Sequence, residues 1–124
     1  MIDRNDIIER RKHKRFRAKK GAFAVLKTDY NLLGQIVDIS KGGLSYRYSG
    51  HAALSEDSVE VEIFSIDNDF YMKKLPVKTV SDFKVDTTIF YDSLPMRQLS
   101  VEFGKMNPNQ TLLLDYFLSK YTFK

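Results

Sequence analysis

Apolar and polar residues alternate along most of the chain between Phe16 and Phe103, in short runs separated by turn residues. Val59, Val61 and Ile63 alternate with two glutamates, which is typical of a strand with one buried and one solvent-facing side. Similar runs predict strands over residues 16–27, 33–39, 44–48, 70–80 and 98–103, with an additional candidate at 89–91. Many short strands at this spacing favour a small antiparallel barrel or sandwich.

The C-terminal segment has a helical period instead. Asn107-Pro108 is a helix-start signal, because asparagine caps the first turn and proline is preorganised for the first helical position. The apolar residues that follow recur at the i, i+3, i+4 and i+7 spacing of one helix face: Leu114, Phe117, Leu118 and Tyr121. We therefore predict a C-terminal α-helix over about 108–122 that packs against the core rather than serving a cofactor.

Charge divides the chain into two parts. Residues 1–20 carry nine Lys or Arg against three Asp or Glu, whereas the remaining 104 residues carry eleven basic and thirteen acidic side chains. Like charges so close together oppose a stable isolated helix. We therefore predict a flexible basic arm over residues 1–15 and one folded domain over 16–124. Such an arm concentrates anions near the domain, although a solvated tail without a partner is the simpler alternative.

Composition narrows the function classes. The 124 residues are enough for one domain with its own core, and they contain no cysteine, which excludes disulfides and thiolate metal sites. No apolar run is long enough for a signal peptide or a membrane span, so we expect a cytoplasmic protein without membrane insertion. The two histidines, His13 and His51, lack the spacing of a metal site, and no nucleophile or phosphate-loop motif is present. We therefore expect neither enzyme activity nor a cofactor.

Two short motifs carry chemistry suited to binding. Arg11 and Arg15 are four residues apart, so they face the same side in a helix or a strand. Each guanidinium offers a planar donor fork for phosphate oxygens or for the O6/N7 edge of guanine. Asp38 and Ser40 are two apart at a predicted strand end and should share a face, where they offer acceptors and a hydroxyl to a purine donor edge. The two motifs together indicate a site for a small, anionic, guanine-containing ligand.

A pair of glycines completes the second motif. Gly42 and Gly43 permit a positive φ, which would let the backbone turn sharply and approach a ligand without an intervening Cβ. The same pattern also fits a hairpin turn in which Asp38 and Ser40 bond only to local backbone amides. Taken alone, it supports such a turn about as well as a binding site.

The combination of Arg11-x-x-x-Arg15 with Asp38-x-Ser40-x-x-Gly43 resembles the bipartite motif of PilZ domains, which are bacterial receptors for cyclic di-GMP. The resemblance covers nearly the whole chain, from the basic arm to the late strand at 101–103 and the terminal helix. It implies a mainly β fold, a six-stranded antiparallel β-barrel with helical additions. One difference is Ser100, where family members often have a glycine, and it bears on strand geometry rather than on the ligand.

Carried over by position, the resemblance implies that two arginines bind phosphates and guanine edges, and that the carboxylate and the hydroxyl contact a guanine base. The glycine turn would close beneath that base, and an arginine directly before the motif would add a third guanidinium. The implied ligand-binding residues are Arg10, Arg11, Arg15, Asp38, Ser40, Gly42 and Gly43. The implied function is a stand-alone cyclic di-GMP receptor, whose arm closes over the ligand and alters the surface presented to an unidentified protein partner.

Two other functions remain open. A small nucleic-acid-binding barrel would use the basic arm and exposed aromatics such as Tyr46 and Tyr48, but the domain beyond the arm is slightly acidic and most aromatics alternate as core residues would. A PilZ-like interaction domain that binds no nucleotide is the second alternative. The complete set of motif residues argues against this alternative, because the loss of any one of them would be enough to abolish nucleotide binding.

Overall fold

The structure is a computed structural model that describes residues 13–28, 31–50, 59–85 and 95–123. These residues form seven strands and one helix: β1 (Phe16–Arg17), β2 (Ala22–Lys27), β3 (Leu32–Ile39), β4 (Gly43–Ser49), β5 (Val59–Ser65), β6 (Tyr71–Lys84), β7 (Met96–Phe103) and α1 (Pro108–Lys120). Six strands close a barrel in the order β3-β2-β5-β6-β7-β4, with β4 returning to β3, while β1 pairs with β3 outside the ring. All pairings are antiparallel. The mainly β, six-stranded barrel with a C-terminal helix is confirmed.

Several element boundaries differ from the predicted ones. The predicted strand over 16–27 is divided into β1 and β2, because the chain turns at Gly21, whose φ of 91° suits glycine. Strand β6 extends to Lys84 and has a bulge between Thr79 and Ser81, which bends a long strand around the barrel. The candidate strand at 89–91 and residues 1–12 of the predicted flexible arm lie outside the described residues.

The barrel interior is filled by alternate side chains, as the sequence pattern predicted. The inward positions of β4 and β5 are buried: Leu44, Tyr46, Tyr48, Val59, Val61 and Ile63. The hydroxyl of Tyr46 donates to the carbonyl of Leu32 at 2.8 Å, and that of Tyr48 donates to the carboxylate of Asp82 at 2.7 Å. Burial also raises the pKa of the Tyr46 hydroxyl. These two tyrosines are therefore core residues and do not form the exposed stacking surface that a nucleic-acid-binding barrel would need.

Helix α1 begins at the predicted position and ends two residues earlier than predicted. The Asn107 side chain accepts a hydrogen bond from the Gln110 amide at 2.7 Å, and the Gln110 side chain accepts one from the Asn107 amide at 3.1 Å. Leu114, Phe117 and Tyr121 are buried, so the predicted apolar stripe packs against the core. No helix within the described ranges is long and apolar enough to cross a membrane.

Replacing Asn107 with alanine should lower the free energy of unfolding by about 1 kcal/mol, because it removes the side chain that caps the first turn of α1. Urea unfolding followed by circular dichroism measures this loss. Asn109→Ala is the matched control, since Asn109 is exposed in the same turn and should cost less than about 0.5 kcal/mol. Equal losses in the two variants would contradict a specific role of the cap.

Candidate functional site

The end of β3 places Asp38 on the outside of the barrel. A bulge lies between Ile36 and Asp38, and Ile36 and Ile39 are both buried while Asp38 is only half-buried. Asp38 is directly opposite Arg17 of β1 and Ser45 of β4. The bulge therefore directs the Asp38 carboxyl group towards β1 instead of into the core.

Ser40 lies just beyond the end of β3 and is buried in the turn that leads to β4. Its hydroxyl accepts a hydrogen bond from the Gly42 amide at 3.0 Å, and its amide donates to the Gly43 carbonyl at 2.8 Å. Ser40 thus forms the local turn contacts that the simpler interpretation of the motif predicted. These contacts fix the position of the Ser40 hydroxyl in the turn between β3 and β4.

The two glycines of the turn serve a different purpose from the one expected. Neither Gly42 nor Gly43 has a positive φ, so the expectation of a left-handed turn residue is wrong. The structure instead requires close approach: a Cβ on Gly43 would lie 2.3 Å from the carbonyl oxygen of Val101, and one on Gly42 would lie 2.8 Å from the ring of His13. Gly43 is therefore needed for β4 to pack directly against β7.

Arg15 is brought to Asp38 by the pairing of β1 with β3. The Nη1 atom of Arg15 lies 3.7 Å from the Oδ1 atom of Asp38, and the two side chains are 45% and 28% exposed. That distance suits an ion pair but is too long for a hydrogen bond. Among the described residues, none donates a hydrogen bond to Asp38 Oδ1, which is buried. A buried acceptor that lacks a donor is unfavourable, and the ion pair with Arg15 offsets part of that cost.

A cavity of about 530 Å³ opens beside this pair, within the size range of small-molecule sites. Its lining comprises His13, Arg15, the turn residues 40–43, residues 100–104 of β7 and its end, and Val80 and Met106. Within the described part of the chain, no cluster of histidine and carboxylate side chains could hold a metal ion. The cavity therefore offers cationic donors, hydroxyls and apolar surface, which suit an organic anion.

The structure brings together most of the residues predicted from the sequence. Arg15, Ser40, Gly42 and Gly43 line the cavity, and Asp38 contacts Arg15 at its border. Arg10 and Arg11 lie outside the described residues. Sequence reasoning missed the remaining lining residues, which include His13, Lys41, Val80, Ser100 and Glu102.

Two of these missed residues carried a local signal. His13 and Lys41 lie inside the two motifs, and their position there could have identified them. The β7 residues carried no such signal, because the contact between β4 and β7 joins segments about 50 residues apart along the chain. Ser100, interpreted as a strand-geometry residue, is placed on the cavity wall.

Comparison with known families assigns the chain to one of them. The sequence profile of the PilZ domain matches residues 9–119. The chain belongs to the PilZ domain family. The family predicted from the two motifs is thereby confirmed. A separate comparison with curated protein sequences found no match to this PilZ chain.

Solved structures share the fold of this PilZ domain. The PilZ domain of YcgR from Escherichia coli with c-di-GMP has a TM-score of 0.61 at 16% identity, covering 90% of this chain and 92% of that chain. PlzA of Borreliella burgdorferi in complex with c-di-GMP has a TM-score of 0.62 at 15% identity, covering 97% of this chain and 57% of that chain. The c-di-GMP complex of K. pneumonia MrkH has a TM-score of 0.67 at 19% identity, covering 88% of this chain and 51% of that chain. The PilZ chain thus spans about half the length of MrkH, and at these identities the likeness establishes the fold.

Proposed function

We propose that this PilZ domain is a receptor for cyclic di-GMP. The proposed ligand-binding residues are Arg10, Arg11, Arg15, Asp38, Ser40, Gly42 and Gly43. The observation that supports the proposal most strongly is the position of the Arg15 guanidinium, which lies 3.7 Å from the Asp38 carboxylate and lines the same cavity as Ser40. Arginine supplies donors for phosphates and guanine acceptors, and the carboxylate supplies an acceptor for guanine donors.

The basic segment before β1 gives the receptor a way to report binding. Residues 1–20 carry nine basic and three acidic side chains, and the two phosphates of the ligand would neutralise part of this excess. We propose that Arg10 and Arg11 then close over the ligand, next to β1 and β3. Ordering of a segment by a ligand is a common switch, and it would change the surface offered to a cytoplasmic protein partner.

Calorimetric titration of the purified protein with cyclic di-GMP tests the proposal. We expect saturable binding in the micromolar range, which corresponds to about 8 kcal/mol, and no saturable binding of GTP at the same concentrations. Single-stranded DNA is the third ligand, because it tests the nucleic-acid alternative. Absence of cyclic di-GMP binding together with tight DNA binding would refute the receptor function and support that alternative.

Salt should have only a modest effect on cyclic di-GMP binding. A ligand with two phosphates should give a log–log slope of about 2 or less, whereas extended DNA contacts give roughly 6–10. Raising salt fourfold should therefore weaken binding by at most about fifteenfold, against 10³-fold or more for extended contacts. Titrations at 50 and 200 mM salt measure the slope, and a value near 6 would contradict capture of a small dianion.

A further inference from the structure

Strand β7 contributes to the lining of the cavity that also contains Arg15. Its residues Leu99 and Val101 are buried in the core at 0% and 3% exposure, so the alternate residues Ser100 and Glu102 project to the outer side. Both of these outward residues line the cavity. Glu102 is directly opposite Gly43 of β4, where no side chain separates the carboxyl group from the motif turn.

The charge of Glu102 is opposite to that of its surroundings. The ionisable side chains around the same cavity include Arg15 and Lys41, which suit a ligand with two phosphates. Glu102 itself is exposed, and none of the ion pairs within the described ranges involves it. Lys78 of β6 is directly opposite Glu102, although no ion pair joins them within the described ranges. A carboxylate repels a dianion, so Glu102 opposes binding unless the ligand offers it hydrogen-bond donors.

We propose that Glu102 recognises a guanine base of cyclic di-GMP by accepting hydrogen bonds from the N1–H and the N2 amino group; this rests on the function proposed above. The two oxygens of an ionised carboxylate match these two adjacent donors, and charge-assisted hydrogen bonds of this kind are strong. Adenine presents an acceptor at N1 and has no N2 amino group. The same carboxylate therefore disfavours adenine, and Glu102 sets the base specificity of the site.

The position of Glu102 assigns it to a different base from the one contacted by Asp38. Asp38 lies on β3 and Glu102 on β7, with β4 between them. Two strand spacings and an offset of two residues along the strands place them about 12 Å apart. A dinucleotide has two bases, and each carboxylate can reach one. Val80, which is 63% exposed on the β6 bulge beside the cavity, provides apolar surface for the face of the base next to Glu102.

The test is the Glu102→Gln variant, titrated with cyclic di-GMP and with cyclic di-AMP. Glutamine keeps the size of the side chain but retains one acceptor and places an amino group against the guanine donors. We expect cyclic di-GMP affinity to fall about tenfold or more, while cyclic di-AMP affinity stays constant or rises, so that discrimination between the two ligands decreases. Glu60→Gln is the matched control, since Glu60 is an exposed strand glutamate of β5 outside the cavity lining, and it should change neither affinity.

Unchanged or tighter binding of cyclic di-GMP by the Glu102→Gln variant would overturn the proposal. If Glu102 only repels the phosphates, its neutral variant binds cyclic di-GMP equally well or more tightly, and the receptor function stands while the Glu102 assignment falls. Equal affinities of the wild-type protein for the two dinucleotides would also refute the assignment, without any variant. Failure of the wild-type protein to bind either dinucleotide would overturn both this proposal and the receptor function.

Discussion

Replacing Arg15 with alanine should weaken cyclic di-GMP binding at least about tenfold while the barrel stays folded. The guanidinium is 45% exposed and its only ion pair within the described ranges is the 3.7 Å contact with Asp38, and a pair of that kind contributes little to stability. Removal of the guanidinium should weaken ligand binding, because a bidentate arginine contact contributes about 1–3 kcal/mol to the binding free energy. Calorimetric titration measures the affinity, and thermal unfolding confirms that the fold survives.

Arg17→Ala is the matched control for this prediction. Arg17 lies two residues further on, directly opposite Asp38 in the β1–β3 pairing, and it is exposed but does not line the cavity. Both substitutions remove one positive charge from the same region, so they change the long-range field similarly. An Arg15→Ala variant with wild-type affinity, or equal losses in the two variants, would contradict direct contact between Arg15 and the ligand.

Replacing Phe117 with alanine should lower the free energy of unfolding by about 3–5 kcal/mol. Phe117 is 0% exposed, and its ring centroid lies 5.1 Å from those of Phe70 and Tyr121. The truncation removes a large buried surface and leaves a cavity at the contact between α1 and the barrel. Such a loss is a large fraction of the roughly 5–15 kcal/mol that stabilises a typical domain.

Urea unfolding followed by circular dichroism measures the loss in Phe117→Ala. Leu112→Ala is the matched control, because Leu112 lies on the same helix but is 68% exposed. It should change the free energy of unfolding by less than about 0.5 kcal/mol. A loss below about 1 kcal/mol in Phe117→Ala would show that α1 does not depend on this face for its packing.

Most strands and the helix could be predicted from the sequence because their signals are local. The alternation at Val59, Val61 and Ile63 and the stripe that contains Phe117 reflect burial on one side of a strand or helix, which neighbouring residues reveal. The division at Gly21 and the long β6 were missed, because turns and bulges within apolar runs depend on how the sheet closes. The expected positive φ at Gly42 and Gly43 was wrong because the constraint on Gly43 comes from the backbone of β7.

The amino-acid pattern alone is enough to predict the alternation that builds the barrel, the capped C-terminal helix, the family and the two polar motifs. These features depend on short spacings, so they can be read along the chain. The contact of Arg15 with Asp38, and the contribution of Ser100 and Glu102 of β7 to the cavity lining, are known only from the folded structure. Barrel closure pairs strands that are far apart in sequence. Because these strands pair through backbone hydrogen bonds, which every residue type can form, the sequence does not show which strand pairs with which.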